Sequence, residues 1–179
     1  MTRRDTVAEA AVELVARSGV RALTHRGVDA EAGCPPGTTS NYFRTREALL
    51  AGVAERIRER DVQVVGVGGR PPATLPGFTD LLGAYVVAMC TRYAYLARAR
   101  IALMTEVPEQ LSGGHRRLVG GITAMLRSYG IAEPEAAAES VVDFVDGAII
   151  HRVYLAAPAP DAAAISRTLL RLLGAETGA

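Results

Sequence analysis

Gly and Pro residues divide this chain into segments whose apolar side chains recur at helical spacing, and this division constrains the fold more than any other feature. The first segment begins at Arg4 and is followed by Gly19, a typical helix stop. Its apolar positions are Val7, Ala11, Leu14 and Val15. The sequence contains no alternation of apolar and polar residues long enough for a strand. We therefore expect an all-α fold with about nine helices.

The same spacing predicts where the helices lie. In the first third of the chain we expect helices over residues 4–18, 25–32, 36–43 and 46–65. A helix from Asp80 to Tyr93 should follow, running on or breaking near Arg98 before Thr105. The next helix is expected from Glu109 or His115 to Tyr129, and the last two over 135–155 and 162–173. The Gly- and Pro-rich residues 66–77 predict a mobile connection between two lobes.

The composition narrows the class of protein. The 179 residues are 49% hydrophobic and 22% charged, which is too apolar for a disordered chain, and no apolar run is long enough to span a membrane. All 20 basic residues are Arg, and with 19 acidic residues they leave a net charge of +1, so a nucleic-acid site has to be local. Cys34 and Cys90 form no disulfide or metal pattern, and no apolar signal core follows the N-terminus. We expect a soluble, cytoplasmic protein.

Residues 23–43 have the spacing of a helix-turn-helix motif. A short helix, a turn at Gly33 and a second short helix, begun by Pro36, follow one another. Short side chains at the start of the second helix would let its backbone approach phosphates, and hydroxyl and amide groups would contact base edges. The side chains that meet this need are Thr38, Thr39, Ser40 and Asn41. The spacing alone fits a plain helical hairpin equally well.

Residues 4–57, about a third of the chain, resemble the N-terminal domain of the tetracycline-repressor (TetR) family. The matching elements are Gly19 after the first helix, Leu23-Thr24, Ala32-Gly33, Pro36-Gly37-Thr38, Tyr42-Phe43 and Arg46-Glu47-Ala48-Leu49-Leu50. The resemblance implies a homodimeric, ligand-responsive transcriptional regulator, usually a repressor, that binds a palindromic operator in double-stranded DNA. It also implies a DNA-binding domain over 1–45 and a ligand-binding and dimerisation domain over 46–179, with 46–65 as the linking helix.

The resemblance distributes the contacts with DNA. The residues expected to contact bases are Thr38, Thr39, Ser40 and Asn41. By their match to family positions, Thr24, Tyr42 and Arg46 are expected to contact phosphates, together with the neighbouring Arg44. The chain departs from the family at two places. Pro35 replaces a common Ser, so the usual side-chain cap of the second helix is missing and a less rigid helix start is expected. Thr39-Ser40 replaces a common Leu-Tyr pair.

The second lobe is expected to bind a small-molecule effector whose identity the sequence does not give. Its predicted lining is Tyr85, Met89, Arg92, Tyr93, Met104, Met125, Phe144 and His151, although Met and Tyr at helical spacing more often form ordinary core. The last two helices are too apolar for one monomer to cover easily. The residues expected to pair with a second copy are Val141, Val145, Ile149, Val153, Ile165, Leu169 and Leu172.

The alternative of another class is an all-α enzyme whose site is assembled only in three dimensions. No residue pattern supports it, because His25 and His115 lack a nearby Ser or Cys in a catalytic arrangement. Asp143, Asp146 and His151 do not share one helix face, so no metal site is expected. No cofactor is expected either.

Overall fold

The computed structural model describes residues 2–65, 71–155, 157–158 and 160–175. Within these ranges the chain forms nine α-helices and one 3-10 turn, with no strand, which confirms the expected all-α fold. The helices are α1 (Arg3–Ser18), α2 (His25–Glu31), α3 (Thr38–Tyr42), α4 (Arg46–Val65), α5 (Leu75–Cys90), α6 (Ala94–Glu106), α7 (Glu109–Ser128), α8 (Pro134–Tyr154) and α9 (Ala162–Leu172). The 3-10 turn covers Val20–Ala22.

Local capping explains why several helices begin where they do. The Thr2 hydroxyl accepts a hydrogen bond from the Asp5 amide, and the Asp5 carboxylate accepts one from the Thr2 amide, so α1 begins with a reciprocal capping box. The Thr24 hydroxyl accepts from the Gly27 amide and caps α2, and Asp161 caps α9 in the same way. These side-chain acceptors satisfy amides that have no partner within their own helix.

Two predicted boundaries in the middle of the chain are wrong. Helix α5 begins at Leu75 rather than Asp80, because Thr74 caps it and Pro76 fits the first turn, where no amide donor is needed. The break before α6 lies at Thr91 rather than near Arg98, and there the Thr91 hydroxyl donates to the Val87 carbonyl. The expected connection over 66–77 is thus helical at its end, and residues 66–70 lie outside the described residues.

The chain divides into two compact units. The first contains Met1–Asp61 and Tyr95–Gly114, and the second contains Val62–Ala94 and His115–Ala179. Most of α4 and most of α6 belong to the same unit as the helix-turn-helix segment. The functional boundary expected at residue 45 therefore stays a prediction.

In the first unit, α4 supports the residue that ends α3. Phe43 follows α3 and is buried, with its ring lying over Gly52 of α4. A Cβ atom added at Gly52 would come within 2.3 Å of that ring. Only Gly at position 52 lets the ring take this place, because any larger residue would push Phe43 and the end of α3 outward.

In the second unit, α5 and α9 approach each other closely at a small residue. A Cβ atom added at Gly83 would lie 2.3 Å from the Ala162 carbonyl oxygen, a backbone atom that cannot move aside cheaply. The buried hydroxyls of Thr79 and Ser166 are 2.9 Å apart in the same contact, and Ser166 donates to Asp80 at 2.6 Å. Among the described residues no helix combines the length and apolar character needed to cross a bilayer.

The close approach at Gly83 can be tested by comparison with two glycines of α7 that have open space around them. Gly120 and Gly121 are exposed, and no atom outside their immediate surroundings lies within 4 Å of a Cβ added there. Replacing either residue by Ala should raise the free energy of unfolding by about 1 kcal/mol, since Ala loses less backbone entropy on folding. Chemical denaturation measures this change.

The control is Gly83→Ala, which adds the same methyl group where the Ala162 backbone blocks it. That variant should lower the free energy of unfolding by about 1–3 kcal/mol. Stabilisation by Gly83→Ala would contradict the close approach of α5 and α9. Destabilisation by Gly121→Ala would contradict the open space described at α7.

Candidate nucleic-acid interface

Helix α3, the second helix of the predicted helix-turn-helix motif, has only five residues. An isolated helix this short is not stable in water, because the cost of forming its first turn is spread over too few hydrogen bonds. Its residue before the first turn, Gly37, has a left-handed conformation with φ of 89° and no side chain that could cap the helix. The stability of α3 must therefore come from residues elsewhere in the fold.

Asp29 of α2 supplies the missing acceptor. Its Oδ1 atom accepts hydrogen bonds from the Thr39 amide at 2.7 Å and from the Thr39 hydroxyl at 2.6 Å. Its Oδ2 atom accepts one from the Gly37 amide at 2.7 Å. Helix α3 begins at Thr38 rather than at the expected Pro36, so Pro35 does not occupy the capping position, and the carboxylate of Asp29 acts from α2 as the cap that Gly37 cannot supply.

The environment of Asp29 keeps its carboxyl group ionised. Burial alone would raise its pKa, but the hydrogen bonds from Thr39 and Gly37 and the nearby His25 outweigh burial and hold the pKa below the ordinary value. Both Asp29 and Thr39 are buried, with exposed fractions of 4% and 0%. A charged acceptor therefore lies at the centre of the contact between α2 and α3.

The other end of α3 is held by His25 and Arg4. The His25 Nε2 atom lies 2.6 Å from the Phe43 carbonyl oxygen and donates to it when the proton is on Nε2. The Arg4 guanidinium lies 5.2 Å from the centre of the Phe43 ring, within the range of a cation–π contact. Asp29 and His25, two residues of α2, thus fix the two ends of α3.

The surface of α3 consists of Ser40, Asn41 and Tyr42, which are exposed, and Thr38, which is half-buried. Thr38 donates its hydroxyl to the Pro35 carbonyl at 2.7 Å, and Ser40 donates to the Gly37 carbonyl at 2.8 Å. These are the predicted contact residues, and the structure brings them together. Thr39 is different, because its buried hydroxyl faces Asp29 and offers no surface to a base, which corrects the role expected for it.

The remaining predicted phosphate contacts take different positions. Thr24 and Arg44 are exposed, with Thr24 capping α2 as described above. The Arg46 guanidinium donates to the backbone carbonyls of Leu23 and Val20, so it ties the start of α4 to the 3-10 turn. Arg46 is nevertheless exposed, so its phosphate contact stays a prediction. Exposed arginines of this segment that the motif did not single out are Arg3, Arg4, Arg21 and Arg26.

Sequence reasoning missed Asp29. Its sequence neighbours carry little signal, because successive residues of a helix point about 100° apart and the burial of Val28 does not predict that of Asp29. What the sequence could not show is that Thr39 and Gly37, ten and eight positions later, supply its hydrogen bonds.

Glu9 connects three helices of the first unit. Its carboxylate accepts hydrogen bonds from Arg56 of α4 at 2.7 Å, from Arg60 of α4 at 2.9 Å and from the Tyr95 hydroxyl of α6 at 2.8 Å. Burial would raise the pKa of Glu9, but these donors outweigh it and lower the pKa below its ordinary value. Burial and the Glu9 carboxylate raise the pKa of Tyr95 to about 12. Glu9 therefore holds α1, which contacts α3, against α4 and α6.

The predicted effector residues lie on several helices. Tyr85 and Met89 are buried on α5, Met125 is half-buried on α7, and Arg92 is exposed over the ring of Tyr93. Met104 is 44% exposed on α6, in the first compact unit, whereas the others belong to the second. Phe144 and His151 do line a groove of about 480 Å³ between α8 and α9. The effector set stays a prediction.

Most of the predicted dimer residues are covered within the protomer. Those that the second unit buries are Val141, Val145, Ile149, Ile165 and Leu169, and Val153 is half-buried. The expectation that one monomer could not cover α8 and α9 is wrong for these residues, because α5 packs against both helices. Leu172 is 44% exposed, and the large apolar residues of α8 and its C-terminal end that remain exposed are Ile150, Tyr154 and Leu155.

The Glu9 contacts predict a pH-dependent stability. Glu9→Gln should lower the free energy of unfolding at pH 7 by about 3 kcal/mol, because it leaves the buried Arg56 with a weaker set of acceptors. A carboxyl whose pKa is lowered by folding stabilises above its unfolded pKa of 4.5, and that contribution is lost as the pH falls through the folded-state pKa. The difference between wild type and Glu9→Gln should therefore shrink below pH 4.5.

The matched control is Glu55→Gln on α4, where a half-exposed carboxylate pairs with Arg58. Its effect should stay below about 1 kcal/mol, because solvent screens an exposed ion pair. Urea denaturation of the three proteins between pH 7 and pH 3 measures both effects. Equal losses for the two variants at pH 7 would contradict the role given to Glu9.

Comparison with known proteins places this geometry in a known fold. No protein-family model matches the chain, and no curated protein resembles it significantly. Solved structures match it over nearly their full length. A TetR-family member from Streptomyces coelicolor A3 is 22% identical with a TM-score of 0.76, covering 96% of this chain and 98% of that one.

Two further structures show the same likeness. A TetR-like transcriptional regulator from Rhodococcus sp. RHA1 is 17% identical with a TM-score of 0.73, covering 97% of this chain and 96% of that one. The multidrug binding protein EbrR, complexed with malachite green, is 23% identical with a TM-score of 0.75, covering 96% and 98%. With its short α2 and α3 joined by a tight turn and its helical remainder, this chain has the fold of the TetR-family transcriptional regulators.

Proposed function

We propose that this protein is a ligand-responsive, sequence-specific DNA-binding transcriptional regulator, and that as a repressor it leaves a palindromic operator when a small molecule binds. The observation that carries the proposal is the pair α2 and α3, in which both ends of α3 are fixed and Ser40, Asn41 and Tyr42 are exposed. A fixed short helix with exposed polar side chains has the properties needed for contact with bases in a major groove. We place this function in the cytoplasm.

Contacts with DNA divide by side-chain chemistry. We assign base contacts to Thr38, Ser40 and Asn41, whose hydroxyl and amide groups match the donors and acceptors of base edges. We assign phosphate contacts to Thr24, Tyr42 and Arg44, all of them exposed. The exposed arginines of α1 and α2 would add sequence-independent attraction to the backbone of the duplex.

The second compact unit is the proposed site of effector binding. EbrR, which shares the fold, has been solved in complexes with imidazole, ethidium, proflavin and malachite green. By this likeness we propose that a small molecule binds the second unit of this chain as well. An effector that binds one conformer more tightly than the other shifts the population toward it, so an effector that disfavours the DNA-binding conformer would release the operator.

A homodimer would present two recognition helices to the two halves of a palindrome. We propose that the second copy packs on the exposed face of α8 and α9, where Ile150, Tyr154 and Leu172 lie in the solvent. Gly147 lies on the same stretch of α8, in the groove between the two helices, and no atom is within 4 Å of a Cβ added there. This leaves room for a neighbouring helix. Nothing in the described residues favours the alternative of an all-α enzyme.

Selection from random duplexes tests the regulator function. The wild-type protein should enrich a palindrome, and its affinity should fall as the salt concentration rises, because phosphate contacts release counterions. Asn41→Ala should weaken binding by about 1–3 kcal/mol for the preferred base and relax the preference at that position.

Tyr42→Phe is the companion variant, because it removes only a hydroxyl group from the proposed phosphate contacts. It should lower the affinity for all duplexes alike, by about 1 kcal/mol. Gel-shift titrations against the selected palindrome and a scrambled duplex measure both effects. Failure of the wild type to enrich any duplex at moderate salt would refute the regulator function, and uniform weakening by both variants would refute the division between bases and phosphates.

Dimerisation is tested by a pair of substitutions on α9. Leu172→Arg places a charge on an exposed residue of the proposed interface, so it should give a folded monomer that binds the palindrome weakly, since each copy then holds one half-site. Leu169→Arg places the same charge at a fully buried residue and should unfold the second unit instead. Sedimentation and circular dichroism separate these outcomes. A dimeric Leu172→Arg protein would show that the interface lies elsewhere.

A further inference from the structure

We propose that Asp29 is a positioning residue for sequence recognition: its carboxylate sets where α3 begins and how α3 is rotated, and thereby which side chains face the DNA. The proposal rests on the DNA-binding function proposed above. Asp29 itself is buried and would touch no base. Its effect on DNA binding would pass entirely through Gly37 and Thr39.

The two backbone contacts fix where α3 begins. The amides of Gly37 and Thr39 belong to the first turn, where helix geometry provides no acceptor for them. Thr39 is fully buried, so water cannot replace the carboxylate at that amide without opening the contact between α2 and α3. A start at any other residue would leave a buried donor without a partner.

The side-chain contact fixes the rotation of α3 about its own axis. One oxygen of Asp29 accepts from both the amide and the hydroxyl of Thr39. Successive residues of a helix differ by about 100° in direction, so holding the Thr39 side chain toward α2 turns Ser40 and Asn41 toward other directions. Rotating α3 by one residue would turn the buried Thr39 side chain about 100° away from Asp29 and move both of its donors from the carboxylate.

Thr39 therefore contributes to specificity without contacting DNA. The hydroxyl of Thr39 donates to the buried carboxylate of Asp29. The contact therefore needs both a hydroxyl at residue 39 and a carboxylate at residue 29. A hydroxyl that bonds to a charged group is more costly to remove than one bonded to a neutral group. Changes at either residue should alter the recognition helix in the same way.

The experiment compares full-length wild type with Asp29→Asn, Thr39→Val and Thr39→Ser. Asn keeps the shape of Asp but loses the charge and one acceptor, Val keeps the shape of Thr without its hydroxyl, and Ser keeps the hydroxyl. The control is Glu31→Gln, which removes the same charge from the same helix. Glu31 pairs with Arg17 of α1 and not with α3.

The first measurement is amide hydrogen exchange at Gly37 and Thr39 in the protein without DNA. Asp29→Asn should speed exchange at both amides at least about tenfold, the size expected when a hydrogen bond to a charged acceptor is lost. Glu31→Gln should leave both rates unchanged. Exchange at buried amides of α1 and α4 shows that each variant is folded.

The second measurement is the ratio of affinities for the selected palindrome and a scrambled duplex. Asp29→Asn should lower this ratio at least about tenfold, and Thr39→Val should lower it in the same direction, whereas Thr39→Ser and Glu31→Gln should keep it. Removal of one negative charge raises attraction to any duplex equally in Asp29→Asn and Glu31→Gln, so it cancels in the comparison.

The outcomes separate this proposal from the one on which it rests. If wild type enriches a palindrome but Asp29→Asn keeps the wild-type ratio or the wild-type exchange rates, the positioning role is overturned and the DNA-binding function stands. A ratio that Thr39→Val leaves unchanged also overturns it, and this variant decides the matter if Asp29→Asn fails to fold. If wild type enriches no duplex, both proposals fall.

Discussion

The proposed DNA-binding surface depends on three hydrogen bonds that the buried carboxylate of Asp29 accepts. A five-residue helix has too few internal hydrogen bonds to exist alone, so its position is decided by whatever satisfies its first turn. Here that group is a charge, which binds its donors more tightly than a neutral cap would. The charge can remain buried because its partners surround it and hold its pKa low.

The rest of the first compact unit keeps that carboxylate and its partners in place. Phe43, which ends α3, packs into the space left by Gly52 of α4, and a side chain at that position would displace it. Glu9 then joins α1 to α4 and α6 through Arg56, Arg60 and Tyr95. Because the Glu9 contacts join residues distant in sequence, the position of α3 depends on how the whole unit packs, not only on residues 33–43.

The sequence predicted the helices well where the signals were local, and poorly where they were not. The predicted starts of α2 and α9 are correct, and in the structure Thr24 and Asp161 cap them within their own turns, whereas α5 begins five residues before the predicted Asp80 because Pro76 lies in its first turn. Apolar spacing showed that Leu169 would be buried, but it could not show that α5 would bury it in place of a second copy.

The charge balance explains why such a precise arrangement of α3 would matter. A net charge of +1 gives little general attraction to DNA, and the Arg46 guanidinium is already bonded to the backbone carbonyls of Leu23 and Val20. Attraction to phosphates acts on every sequence alike, so discrimination between sequences would have to come from base contacts. Those contacts require side chains held in one orientation before DNA arrives, since ordering them on binding would cost affinity. The buried Asp29 carboxylate would meet that requirement at the cost of burying one negative charge near the surface proposed to contact phosphates.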